Sequence, residues 1–337
     1  MVIELSGGFS SQIYLVTDIT SEYVKGHAKK FLVRLFGGKL VDEDEALKVL
    51  TPTEENLILQ AYNLAGIDPK LFGVIEGGRI EEFIPSHILT EADFEDSDIM
   101  LQLARKLARF HALQLPISKQ PNDICKPAEI NFAQYDADVF QKIVDYVKCE
   151  DAKQLIEFDW RSEIEWIRNI LPKIGGRFVS VHGDLYKSNI LVRDEADTLN
   201  EKVTLIDYEL AATDYRGRDF GDWFPFKIFE LKDGKFVKVC EYPEEMWRKT
   251  FITEYLRIAK ELAEYEFDEQ GLDSVEHVMM EADFFTFPCL VRSISFFIKQ
   301  KEDGFMLQMP IELGHSFMVS KLSAYIDDEE CYMISLA

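Results

Sequence analysis

The chain has 337 residues, a length that suits two lobes or one large domain at ~100–200 residues per domain. Hydrophobic residues make up 47%, including 25 Phe, 13 Tyr and 4 Trp, enough for a sizeable core and enough to exclude disorder as a class. Against 37 Lys and Arg stand 61 Asp and Glu, a net charge of −24, which excludes nucleic-acid or anionic-membrane binding through a general basic surface and suits a cationic small molecule. The cysteines, Cys125, Cys149, Cys240, Cys289 and Cys331, are scattered and odd in number, which fits a reducing compartment and neither a disulfide scaffold nor a zinc site. Met1 to Ser6 is too short and polar for a signal peptide, and charges break every apolar run before the ~20 residues of a membrane span. A soluble cytoplasmic protein is expected.

In chain order, Gln12–Val16 and Lys30–Phe36 are short β-branched and aromatic runs that predict strands. A helix follows: Thr51 is the N-cap, Pro52 the first helical residue and Glu54 the partner in a capping box. Leu57, Ile58, Ala61, Tyr62 and Ala65 continue at helical spacing to Gly66. Leu71–Ile75 and Arg79–Ile84 flank Glu76-Gly77-Gly78 and predict a hairpin. The acidic stretch Asp42 to Glu45 reads as a solvated loop. After Pro85 the pattern becomes helical. Met100, Leu103, Ala104, Leu107, Ala108 and His111 form one amphipathic face, and helical patterns return at 137–148, 161–171, 243–265 and 275–300. Two apolar runs interrupt them, Phe178–Val181 and Val203–Ile206. Residues 1–84 therefore predict a small antiparallel β-rich lobe and residues 85–337 a large, mostly helical lobe, an α+β plan.

The chemistry concentrates in His182-Gly183-Asp184-Leu185-Tyr186-Lys187-Ser188-Asn189 and Leu205-Ile206-Asp207-Tyr208-Glu209. Each polar set adjoins a strand-like run. Phosphoryl transfer needs one carboxylate facing the attacking hydroxyl, and an amide and a second carboxylate as hard oxygen ligands for Mg²⁺. Either fragment alone is equally a post-strand turn; the two in order favour catalysis. Gly7-Gly8-Phe9-Ser10-Ser11 precedes a strand and could lay backbone N–H groups over phosphates. Arg34 lies among apolar strand residues, where a charge needs a partner or an anionic ligand. Glu55 shares the inward helical face of Ile58 and Tyr62, so Arg34 and Glu55 are expected to pair. His111 reads as a satisfied core histidine, with the same reading for His87, His277 and His315. No His or Cys spacing fits a metal site.

These motifs resemble those of the choline/ethanolamine kinase family, itself related to aminoglycoside phosphotransferases and protein kinases. The similarity runs through nearly the whole chain, and its most specific piece is Asp214-Tyr215-Arg216-Gly217-Arg218-Asp219-Phe220-Gly221-Asp222-Trp223-Phe224. The resemblance implies a two-lobed protein-kinase-like fold and ATP-dependent, Mg²⁺-dependent phosphorylation of choline or ethanolamine, the first step of phosphatidylcholine or phosphatidylethanolamine synthesis. It implies Asp184 as catalytic base, Asn189 and Asp207 as metal ligands, and an ATP site that draws on Gly7, Gly8, Ser10, Ser11, Arg34, Glu55, Glu82, Phe83 and Ile84. The chain departs from the family pattern at several positions, the most important of them in the pocket for the cationic head. Ser11 and Tyr186 stand where the family usually has Asn and Gln. Phe226 stands at the position of an acid that holds the cationic head, and Pro288 and Val291 at positions of tryptophans. Asp222, Trp223 and Asp283 are the candidate replacements, and the Phe284–Phe287 cluster reads as core packing. Two alternatives remain: a related small-molecule kinase with another amine or sugar acceptor, and an ATP-binding pseudokinase. A homodimer is left open, because the chain starts only a few residues before the glycine loop, where relatives commonly carry an extension that contributes to dimer contacts.

Overall fold

The computed structural model describes residues 1–5, 11–19, 29–37, 50–67, 69–120, 123–133, 159–226, 229–232, 235–238 and 242–299. Of the expected features, the acidic loop at 42–45, the helix at 137–148 and the residues Gly7, Gly8 and Ser10 lie outside them. The first strands are β1 (Val2–Leu5), β2 (Ser11–Thr17) and β3 (Lys30–Phe36), followed by helix α1 (Pro52–Leu64) and the hairpin β4 (Leu71–Ile75) and β5 (Gly78–Glu82). They form one antiparallel sheet in the order β1-β2-β3-β5-β4. The capping box of α1 is present as the sequence predicts. Thr51 accepts from the Glu54 backbone N–H, and Glu54 accepts from that of Thr51 at 2.7 Å. Ile58, Leu59 and Tyr62 are its buried face.

The remaining chain supplies β6 (Ser86–Ile88), α2 (Glu91–Glu95), α3 (Ser97–His111), α4 (Lys126–Ala133), α5 (Trp160–Ile174), β7 (Phe178–Val181), β8 (Ile190–Arg193), β9 (Val203–Leu205), β10 (Ala212–Tyr215), α6 (Gly217–Phe226), the hairpin β11 (Phe229–Lys232) and β12 (Lys235–Lys238), α7 (Glu245–Leu262) and α8 (Val275–Lys299). Strands β6, β8 and β9 form one small sheet, and β7 pairs with β10. The long amphipathic helices were legible from their periodicity. The three- and four-residue strands β1, β6 and β10 carry too few residues for a period to show, so only pairing reveals them. The whole is α+β.

One continuous core joins the sheet to the helices. Tyr62 of α1 packs on Phe110 of α3 at 4.9 Å and on Tyr208, just after β9, at 4.4 Å. Phe220, Trp223 and Phe224 of α6 and Phe251 and Tyr255 of α7 extend it. Removing each such ring from water contributes roughly 1.5–3 kcal/mol. A second cluster packs Trp160, Ile164 and Ile167 of α5 against Phe284 and Phe285 of α8; the phenylalanines expected as core packing, Phe284, Phe285 and Phe287, are all buried.

Candidate active site

Strand β7 ends at Val181 and leads directly into His182-Gly183-Asp184. Gly183 has φ 78°, and a Cβ there would stand 2.2 Å from the Leu210 carbonyl oxygen, so only glycine fits the turn. The turn is held from below by Asp219 of α6. Its carboxylate accepts from the backbone N–H groups of His182 and Gly183 at 2.7 and 2.8 Å, and meets His111 Nε2 at 2.9 Å. Burial works to raise the Asp219 carboxyl, but the His111 hydrogen bond, the nearby imidazoles and the Gly183 N–H outweigh it and hold it below the usual range. The other nitrogen of His111 faces the Tyr255 hydroxyl at 2.9 Å, so this histidine is fully bonded in the core.

Asp184 follows. Its side chain and its carbonyl both accept from Asn189 Nδ2, at 3.0 and 2.9 Å, and its N–H donates to His182 Nδ1 at 3.3 Å. A 3-10 turn at Lys187–Asn189 brings the amide round. Burial pushes the Asp184 carboxyl up to about 7; Arg292 opposes the rise, and Asp222, Asp207 and Glu209 add to it. The Asn189 carbonyl in turn accepts from Ile206 N–H at 3.0 Å, which fixes Asp207 beside it. Asp207 has φ 68°, a left-handed conformation that costs a non-glycine residue ~1–3 kcal/mol and that concentrates at functional sites.

Above this floor, Arg34 of β3 places Nη1 3.6 Å from Asp207 Oδ1. The expected Arg34–Glu55 pair is corrected. Arg34 Nε binds Glu81 at 3.0 Å, Glu81 also receives Arg79, and Arg79 Nη1 binds Glu55 at 2.7 Å. The cause is register. Strands β3 and β5 set Arg34 opposite Arg79 and Leu32 opposite Glu81, so both arginines share one face and the two carboxylates must separate them. The sequence signal for Glu81 was the alternation Arg79-Ile80-Glu81, with both charges on the same side of the strand as Arg34.

The remaining expected residues are placed as follows. Ser11 begins β2 and is buried; Ile84 is buried; Phe83 lies 5.4 Å from the Lys30 ammonium; Glu82 faces Lys70 at 3.5 Å. Trp223 packs on Phe94 within the core, and Asp283 is bound by Arg248 and the Tyr242 hydroxyl. Asp222 pairs with Arg292 at 2.8 Å, and the Phe226 side chain lies outside the described residues. Arg292 itself went unnoticed in the sequence. Its signal is the one that marked Arg34, a single charge within an apolar run.

A family model described as Choline/ethanolamine kinase matches residues 2–297. Choline kinase alpha of Mus musculus is 25% identical over 302 residues, covering 83% of this chain and 66% of that protein. A probable ethanolamine kinase of Arabidopsis thaliana is 29% identical over 243 residues, covering 70% and 58% respectively. The chain thus spans less than two thirds of the length of these relatives. The crystal structure of a choline kinase from Cryptosporidium parvum Iowa II superposes with a TM-score of 0.66 at 21% identity, covering 99% of this chain and 92% of that one; the shared fold is the two-lobed, protein-kinase-like plan.

Proposed function

As the chain belongs to the choline/ethanolamine kinase family, we propose that it transfers the γ-phosphoryl group of ATP to the hydroxyl group of choline or ethanolamine. The observation that carries this reading is the hydrogen-bonded series Asp184–Asn189–Ile206, with Asp207 next in the chain and paired with Arg34. Asp184 orients the acceptor hydroxyl and takes its proton as the new P–O bond forms and the bond from the γ-phosphorus to the leaving ADP breaks. The side chain of Arg34, charged at any working pH, grips phosphate oxygens.

The donor set suits Mg²⁺. Asn189 spends its amide nitrogen on Asp184, which leaves the amide oxygen, and Asp207 offers a carboxylate whose side chain is 30% exposed. No cluster of three or more His, Cys, Asp or Glu that could cage a metal occurs among the described residues. Hard oxygens of this kind are the ligands that a cation shared with phosphates takes. Bound there by Asn189 and Asp207, Mg²⁺ would supply neutralisation of phosphate charge.

No described helix is long and apolar enough to cross a membrane; we place the chain in the cytoplasm, supplying phosphorylated head groups for phospholipid synthesis. The test is ADP release from Mg-ATP in the presence of choline, ethanolamine and their methylated intermediates. Stimulation by at least one amine is expected. Release unaffected by all of them would overturn the reading.

A further inference from the structure

A buried ion pair beside Asp184 has no part in the transfer chemistry just described. Arg292, on α8, donates through Nη1 to the Gly183 carbonyl at 2.7 Å and through Nη2 to Asp222 Oδ1 at 2.8 Å. Its side chain is 13% exposed and that of Asp222 is 0%. Gly183 immediately precedes the base, so a permanent cation is fixed against the α6–α8 side of Asp184. Asp222 is already neutralised by this guanidinium and is not left as a free counter-charge for a cationic acceptor. The rings that α6 and α8 carry nearby, Trp223, Phe224, Phe284 and Phe285, are at most 1% exposed and packed in the core.

A quaternary ammonium group is recognised by open aromatic faces and has no hydrogen to donate. Beside a guanidinium it meets repulsion that those four buried rings cannot offset. A primary ammonium has three donors for the carboxylate and carbonyl oxygens around Asp184. We propose that Arg292 is a specificity-determining residue of the acceptor site, selecting a primary-ammonium alcohol of the ethanolamine class over a quaternary one of the choline class. The inference rests on the transfer reading for its substrate class.

The test measures kcat/KM with Mg-ATP for ethanolamine and for choline in the wild type, Arg292→Gln and Arg292→Lys. The ratio of the two values within one preparation is independent of the fraction of active protein. The wild type is expected to favour ethanolamine by about tenfold or more. Arg292→Gln should bring the ratio towards one by raising the choline value, and Arg292→Lys should keep the wild-type ratio. If Arg292→Gln fails to fold, the double variant Asp222→Asn, Arg292→Gln removes both charges together and reads the same ratio. Phosphorylation of both amines with a ratio unchanged by loss of the charge, or a wild-type preference for choline, overturns this inference alone. Phosphorylation of neither amine overturns it together with the transfer reading.

Discussion

Asp184 is partly buried, bonded to one amide and surrounded by three further carboxylates, and only Arg292 among its named neighbours opposes them. In the proposed transfer its contribution is the removal of a single proton. Asp184→Ala should lower kcat by about 10²–10⁴-fold while Mg-ATP binding, measured separately by calorimetry, is retained; turnover close to wild type would remove Asp184 from the mechanism. His182 behaves in the opposite sense. Its Nε2 faces the Ile206 carbonyl at 2.9 Å and its Nδ1 accepts from Asp184 N–H, so the neutral ring is the one that fits. Burial depresses its pKa, outweighing the attraction of Asp219. The unfolded chain takes up this proton below pH ~6.5, whereas the folded chain resists it. The stability it protects is complete above that pH and is lost as pH falls towards the depressed value. Tm should therefore drop between about pH 7 and about pH 5.5, and His182→Asn should flatten that dependence in thermal scans. An identical slope in the variant would place the acid sensitivity at another group.

Elements are positioned by close approach as much as by burial. Helix α6 carries Asp219, which holds the His182-Gly183 turn, and Asp222, which holds Arg292. It reaches α8 at Gly221, where an added Cβ would stand 2.4 Å from the Phe285 carbonyl carbon. That contact is backbone, which has little room to retreat. Gly221→Ala should destabilise the fold by about 1–3 kcal/mol in urea titrations and lower kcat with it, because both acids ride on the displaced helix. Gly73→Ala in β4, where nothing stands within 4 Å, is the control and should change stability little. Equal effects of the two substitutions would mean that α6 and α8 adjust freely.

At the scale of the molecule, the charge of −24 is carried by a fold whose proposed substrate, ATP, is itself an anion. The chain answers with a few deliberate cations. Arg34 and Arg79 are interleaved with Glu81 and Glu55, and Arg216 is enclosed by Asp273 and Glu281. The excess of negative charge is self-repulsive, and added salt screens exposed charges beyond ~10 Å. Raising ionic strength from about 0.01 to about 0.15 M should raise Tm by roughly 2–4 °C, equivalent to about 1 kcal/mol; a fall would show that attractive ion pairs dominate.

The sequence by itself determined the local features: the capping box of α1, the Gly77 turn between β4 and β5, the amphipathic faces of α3 and α5, and the order of Asp184, Asn189 and Asp207. Each rests on residues a few positions apart, and short-range physics decides it. What required the tertiary structure were pairings across long separations. Arg34 took Glu81 instead of Glu55 because strand register set two arginines side by side. Asp219 became the support of the His182-Gly183 turn, and Arg292 arrived next to Asp184 from 108 positions away in the chain. Spacing cannot reveal such partners, because a buried charge announces only that it needs one, and packing chooses which.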